Sequence, residues 1–343
     1  RILMLTAYFA PDSAANAVIM TRLAKDLAGI GHQVTVLTTF PHYGEDRFSA
    51  RYRSKLWAKE RIGEISVYRL FLFVPKKKGM ILGRLLSYVS WNVLSALAGL
   101  MLGRCDILFV PSPPLTNGFV GYIISRLRGV PFVYNVQDIY PDIAVRLGVL
   151  RQTTLIGSAR KLETFVYGKA AAVSVISGGF RSNLIAKGVP EEKIHLIPNF
   201  AETEVIHPLA RQNRLSSALG LDDRFVVLYA GNIGLSQGLE TVLDAAELLR
   251  DNAEIVFLIV GNGATKPALV DLARRKDLQN VMFRPFFPYR DVPELYATSD
   301  VCLVPLKRGI SEESVPSKAY SILAAGRPLI AAVDEGSNIW DLV

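Results

Sequence analysis

Short apolar runs alternate, along almost the whole chain, with stretches whose apolar residues recur every three to four positions. Residues 2–6, 33–37, 66–71, 107–110, 132–134 and 172–176 have the length and side chains of buried strands. Between the first two, residues 17–28 set Val18, Met20, Leu23, Ala24 and Leu27 on one helical face. The rhythm restarts later. Residues 225–230, 254–260, 281–284, 301–304 and 328–332 predict strands, and 238–249, 267–275, 292–298 and 317–325 predict helices. Buried runs followed by helices predict βαβ units around parallel sheets. Residues 201–219 are polar and carry no strand signal, which places a domain boundary near 200–222. The expectation is α/β: two doubly wound Rossmann-like domains, 1–200 and 201–343, facing each other across a cleft, with ligands at the carboxyl ends of the strands.

One segment interrupts the alternation. From Arg47 to Arg84 there are 11 basic residues against Glu60 and Glu64, and residues 85–103 follow without a single charge. The uncharged stretch is open to three readings: a spanning helix, a buried domain helix, or an interfacial helix with one face in lipid. The neighbouring Lys76-Lys77-Lys78 favours the third. Composition changes the picture mainly through charge. The formal net charge of +8 divides into 25 Lys and Arg against 12 Asp and Glu in residues 1–200, and 14 against 19 in the remainder. A basic half joined to an acidic half points to a polyanion facing the first half. A nucleic-acid role needs a known module or aromatics interleaved on a basic groove, and neither pattern is evident around Tyr52, Trp57 and Tyr68. The expected partner is therefore an anionic membrane surface met by residues 47–103. Cys105 and Cys302, far apart in sequence, exclude a disulfide scaffold and fit a reducing compartment. The chain opens on Arg1 without a signal-peptide pattern and stops abruptly at Val343, so terminal elements, the C-terminal end above all, are expected to be missing.

Candidate chemistry lies in loops after strands. In Tyr229-Ala230-Gly231-Asn232-Ile233-Gly234-Leu235-Ser236-Gln237-Gly238 a strand ends, glycines allow close backbone approach, and a helix begins. It is neither a dinucleotide fingerprint nor a P-loop. The other loops are Val260-Gly261-Asn262-Gly263, then Arg284-Pro285-Phe286-Phe287-Pro288-Tyr289, then Ser311-Glu312-Glu313-Ser314-Val315-Pro316-Ser317-Lys318. The last sets carboxylates and a lysine at a loop–helix junction, where Lys318 could neutralise a phosphate. Helix capping by Ser314 or Ser317 is the plainer alternative. Asp138 follows a strand and could take or orient a proton, or cap the turn Tyr140-Pro141-Asp142. His42, on the loop after a strand, is a candidate for acceptor contact or proton transfer. His32 and His195 border strands and read as structural. No metal site is expected, since no Asp-x-Asp occurs and the four histidines lack ligand spacing.

These loops, with Tyr8-Phe9-Ala10-Pro11-Asp12, Gly31-His32-Gln33-Val34, Val136-Gln137-Asp138-Ile139-Tyr140-Pro141-Asp142 and Ala324-Ala325-Gly326-Arg327-Pro328, make the chain resemble the GT-B glycosyltransferases of family 4. Within them it is similar to the subgroup that builds bacterial surface polysaccharides, of O-antigen and colanic-acid type. The resemblance implies a retaining, metal-independent hexosyltransferase without a cofactor, at the cytoplasmic face of the membrane. The donor, a UDP-linked deoxy or N-acetyl hexose, would lie on the second domain, and a polyprenyl-diphosphate-linked saccharide acceptor on the first. It implies donor contacts at Gly231, Asn232, Gly234, Gln237, Gly261, Asn262, Phe286, Ser314, Ser317 and Ser321. The catalytic set would be Asp138, Glu313 and Lys318, with the helix at 317–325 pointing its N-terminus at the phosphates and Asn16 and His42 on the acceptor side. The chain departs from the family in three ways. Asn232 and Gln237 stand where an Arg and a Lys are common, Ser321 replaces the second of two glutamates, and Ala14-Ala15-Asn16 replaces a glycine-rich loop. Two other functions share the fold: a sugar-nucleotide epimerase, which needs no lipid acceptor, and a non-catalytic partner subunit.

Overall fold

The computed structural model describes residues 1–12, 14–42, 52, 55–73 and 81–343, the stretch 81–85 by its backbone alone. The chain divides into two compact units, Arg1–Pro198 and Asn199–Val343.

Unit 1 runs β1 (Ile2–Leu5), α1 (Ala15–Gly29), β2 (Val34–Thr39), β3 (Trp57–Ile62), β4 (Ile65–Leu70), α2 (Ile81–Met101), β5 (Ile107–Pro111), α3 (Thr116–Arg128), β6 (Phe132–Val136), α4 (Asp142–Arg146), α5 (Thr153–Lys169), β7 (Ala172–Val175), α6 (Gly178–Ala186) and β8 (Ile194–Leu196). Its eight strands lie in the order β3-β4-β2-β1-β5-β6-β7-β8, all parallel except the β3–β4 hairpin. The chain leaves β1 to one side for β2 and later returns to its other side for β5, so the sheet's topological switch point lies between β1 and β5. Met4, Val36 and Val67 from three strands and Met20 and Ala24 from α1 share one buried cluster, which is why the apolar face of α1 forms and where it docks.

Unit 2 runs α7 (Arg214–Ala218), β9 (Phe225–Ala230), α8 (Glu240–Leu248), β10 (Ile255–Val260), α9 (Lys266–Arg275), β11 (Val281–Arg284), α10 (Val292–Ala297), β12 (Val301–Pro305), α11 (Lys318–Ala324), β13 (Leu329–Ala332) and α12 (Asn338–Leu342). Its five strands are parallel, in the order β11-β10-β9-β12-β13, with the switch point between β9 and β12. Val227, Tyr229, Val242, Leu243, Phe257, Ile259 and Leu269 join β9, β10, α8 and α9 in one core. In the polar stretch ahead of β9, Asn213 and Ser216 form a reciprocal capping box that starts the short helix α7.

Two elements bear on the basic segment. In β3 the side chains alternate outward and inward, exposing Trp57, Lys59 and Arg61 and turning Glu60 toward Arg69 at 2.8 Å. Arg69 is fully buried and also donates to Thr39 O and Ala10 O, so it contributes nothing to a charged surface. Arg47, Arg51, Arg53 and Lys76-Lys77-Lys78 lie outside the described residues, as does the Arg84 side chain. Helix α2 buries Trp91, whose Nε1 donates to Asn117 of α3 at 2.7 Å, and Ser95. Its opposite face exposes Leu86, Val89, Val93 and Leu97, each by about half. This exposure corrects the reading of 85–103 as a wholly buried helix. Among the described residues no helix is long and apolar enough to cross a membrane.

Candidate functional site

At the carboxyl ends of β9 and β10 two glycine loops meet backbone to backbone. Gly231 N donates to Val260 O at 2.9 Å, and Ile233 N to Asn262 O at 2.9 Å. Gly261, at φ +150°, could not be any other residue without its Cβ meeting the Gly231 carbonyl. Lys266, at the start of α9, fastens the arrangement from beneath. Its Nζ donates to Gly261 O at 2.7 Å and Arg284 O at 3.2 Å, and burial lowers its pKa.

Lys318 enters the same place from α11. Its Nζ donates to Gln237 Oε1 at 2.6 Å and sits 3.9 Å from the centroid of the Tyr229 ring. A Cβ on Gly231 would come within 3.1 Å of that ammonium, so the β9 loop passes directly over it. Among the described residues no carboxylate pairs with Lys318, and burial lowers its pKa from 10.5 to about 7. Gly231, Gly234, Gln237 and Lys318 are thus brought together, with Gly261 and Asn262 on the adjoining loop; Asn232 and Asn262 are exposed.

The loop leading to α11 is held by Asp334, whose carboxylate accepts from Gly309 N at 2.8 Å and Ser311 N at 3.4 Å. Burial opposes its ionisation, but the hydrogen bonds from Ser311 and Gly309, with Arg308 nearby, outweigh burial and hold its pKa below the ordinary value. Glu313 on this loop is buried. Neither Ser314 nor Ser317 caps α11, which begins without a side-chain cap, so the capping alternative is absent. Ser321 lies near the buried Tyr296 hydroxyl, and Phe286 is half-buried after β11. A cavity of about 650 Å³ opens beside these loops, lined by Leu235, Gly238, Lys307, Arg308, Asp334 and Glu335 among others.

In unit 1 a second set gathers at the ends of β1, β2, β5 and β6. Asn16 Nδ2 donates to Ser112 O at 3.4 Å, while its buried Oδ1 has no partner among the described residues. Ser112 Oγ accepts from Gln137 N at 3.0 Å, which fixes the backbone leading to Asp138. The N-cap position of α4 is Pro141, which has no capping side chain. His42 N donates to Asp12 Oδ1 at 3.0 Å and its ring stacks on Tyr8. His42 Nδ1 lies 2.9 Å from Phe40 O, a carbonyl to which the ring nitrogen can only donate. Among the described residues no three His, Cys, Asp or Glu side chains are grouped to share a metal ion.

Residues 16–199 match the family model of the glycosyl transferase 4-like domain, and residues 212–338 that of glycosyl transferases group 1. The Escherichia coli protein WcaI, named as a colanic acid biosynthesis glycosyl transferase, is 31% identical over 100% of this chain and 85% of its own. The chain belongs to the family 4 glycosyltransferases. WbjE of Pseudomonas aeruginosa, named as a glycosyltransferase, is 28% identical over 69% of this chain and 59% of its own. The solved structure of Anabaena HepE in complex with UDP and glucose shares the GT-B fold, at a TM-score of 0.70 and 18% identity over 100% of this chain and 82% of that one. In this glycosyltransferase two residues near the glycine loops have no role assigned from sequence, Tyr229, which only opens the quoted motif, and Lys266. Tyr229 is hidden inside an apolar strand run, and only its position just ahead of Ala230-Gly231 marks it. Lys266 opens a helix three residues after Gly263, a place where a cation gives no local signal.

Proposed function

We propose that this glycosyltransferase moves a hexose-type sugar from a nucleotide-sugar donor to a polyprenyl-diphosphate-linked saccharide, with retention of configuration and without a metal ion, as a step of surface-polysaccharide synthesis. The observation that carries the donor site is the Lys318 ammonium, partly buried against glycine backbone with, among the described residues, no carboxylate to neutralise it. A buried cation without a counter-ion is costly unless an anion arrives, and the diphosphate of a nucleotide sugar is an anion of the right kind. Catalysis would then come from holding the departing diphosphate and stabilising charge as it develops at the anomeric carbon. In this reading Lys318 neutralises the leaving group and Glu313 contacts the donor sugar. Gly231, Asn232, Gly234, Gln237, Ser314, Ser317 and Ser321 surround the diphosphate and ribose, and Gly261, Asn262 and Phe286 the base. Asp138 takes or orients the acceptor proton, with Asn16 and His42 beside it. A UDP-linked deoxy or N-acetyl hexose is the donor we favour, supported by the HepE complexes with UDP, glucose and UDP-glucose.

The lipid-linked acceptor and a peripheral location on the inner membrane face are supported by the exposed apolar face of α2 and the exposed Lys55, Lys59 and Arg61. The test is transfer from a panel of UDP-, GDP- and dTDP-sugars to a polyprenyl-diphosphate saccharide in vesicles, with Lys318→Ala alongside. Loss of one lysine contact to a leaving phosphate should cost on the order of 100-fold in turnover. Full turnover by K318A removes the lysine's role, and conversion of the sugar nucleotide without any acceptor would favour the epimerase.

A further inference from the structure

The partners of Lys318 set it apart from the ion-paired lysines of this chain; among the described residues Lys193 and Lys266 also meet only neutral acceptors, but theirs are backbone carbonyls. Lys187 is bonded to Asp142 and Glu163, and Lys276 to Asp244 and Glu247, so each of those ammoniums meets carboxylates. Lys318 instead meets an amide oxygen and an aromatic face, both neutral. Those two partners are themselves fixed. Gln237 is 8% exposed and its Nε2 donates to Ser236 Oγ at 3.0 Å, which turns Oε1 toward the ammonium. Tyr229 is fully buried; its hydroxyl donates to Asn232 O at 2.6 Å and lies 3.0 Å from Gln237 Oε1. Contact with the ring face stabilises a cation without neutralising it. One ammonium hydrogen goes to Gln237, and two remain for another acceptor.

We propose that Gln237 and Tyr229 are positioning residues that hold the Lys318 ammonium against the 231–237 loop, so that the loop's cation for the donor diphosphate is supplied from α11, 81 positions away in sequence. The inference rests on the reading of this loop as the diphosphate site. It explains why a loop that carries no basic residue of its own, from Gly231 to Gly238, is wrapped over a lysine with only a glycine's clearance.

An exchange of the two contacting side chains tests it. Binding of UDP, GDP, ADP and inorganic pyrophosphate is measured by calorimetry for the unaltered chain, Lys318→Gln, Gln237→Leu, Tyr229→Leu and the double variant Gln237→Lys/Lys318→Gln, each with its melting temperature. K318Q and Q237L should weaken the tightest diphosphate about tenfold or more. The double variant should recover to within about threefold of the unaltered chain, because it returns an ammonium to the same 2.6 Å contact from the other side. Q237L should also move the pH midpoint of binding, which a role in folding alone would not do. A double variant as weak as K318Q at unchanged melting temperature overturns the proposal. Should the double variant not fold, Q237L and Y229L decide: affinities within about twofold of the unaltered chain in both overturn it as well. Absence of binding of every diphosphate to the unaltered chain refutes the donor-site reading itself, whereas tight binding insensitive to Gln237 and Tyr229 refutes only this inference.

Discussion

Burial lowers the Lys318 ammonium from 10.5 to about 7, with an amide and a ring as its partners. Between those two values the unfolded chain binds more protons than the folded one, so this residue makes stability rise with pH across that window. An incoming diphosphate favours the protonated form and works in the opposite direction. Affinity for the diphosphate should therefore fall as pH rises above about 7, by up to about tenfold per unit until the bound-state value is passed. Calorimetry from pH 7 to 9 in buffers of different ionisation enthalpy should show proton uptake on binding, and K318Q should show neither the slope nor the uptake. A flat profile in the unaltered chain would exclude Lys318 as the phosphate-facing cation. A second residue-scale expectation concerns the α4–α5–α6 contact. Glu163 is 1% exposed; burial raises its pKa, and hydrogen bonds from Lys187 and Tyr167 oppose that rise. Lys187→Met leaves this carboxyl and Asp142 without their shared cation and should cost about 3 kcal/mol in urea unfolding, partly relieved by protonating Glu163 at low pH. Loss of less than about 0.5 kcal/mol would mean that the network is merely decorative.

At the scale of elements, α2 carries the clearest expectation. Leu86, Val89, Val93 and Leu97 recur at three- and four-residue spacing on its exposed face. Ser87 and Ser90, which would break that face, are turned to the backbone of Phe73. Val89→Glu/Val93→Glu should abolish co-sedimentation with anionic vesicles while leaving the melting temperature and nucleotide binding unchanged; retained sedimentation would place the membrane contact elsewhere. The uncharged length of this helix was plain in the sequence. Which side faces outward was not, because that depends on Trp91 finding Asn117 in α3. The long apolar strands, such as β9 and β10, were equally plain, since burial on both faces leaves nothing polar in the run. Strand β3 was missed for the opposite reason. Its sequence Trp57-Ala58-Lys59-Glu60-Arg61-Ile62 is charged on both faces, and its inward Glu60 is tolerated only because Arg69 waits on β4. The short α7 escaped notice in a polar stretch, although Asn213 three residues ahead of Ser216 is a capping signal. The glycine loops were legible as places where backbone must approach closely. The contact of Lys318 with Gln237 was not, because only the parallel register of β9 with β12 brings α11 beside that loop.

At the scale of the whole molecule, charge separates the two units. Residues 1–200 hold 25 Lys and Arg against 12 Asp and Glu, and the remainder holds 14 against 19. Arg69 is lost to the interior, yet Lys55, Lys59, Arg61 and Arg104 remain exposed on unit 1. Each basic group near an anionic leaflet contributes about 1 kcal/mol, and that attraction falls off within a Debye length of ~10 Å at 0.1 M salt. The proposed donor site would work differently, since its cation, Lys318, is partly buried and less screened. Salt should therefore separate the two substrates. Raising ionic strength from about 0.05 to 0.5 M should increase the apparent KM for a lipid-linked acceptor in anionic vesicles by about tenfold or more. The KM for the nucleotide sugar should change by less than about threefold. In neutral phosphatidylcholine vesicles the acceptor effect should disappear, leaving only the apolar contribution of α2. Equal salt sensitivity in anionic and neutral vesicles would show that the charge of unit 1 serves something other than the membrane. Equal sensitivity of both substrates would mean that the donor's phosphates are read by exposed cations such as Lys307 and Arg308, beside the 650 Å³ cavity, instead of by Lys318.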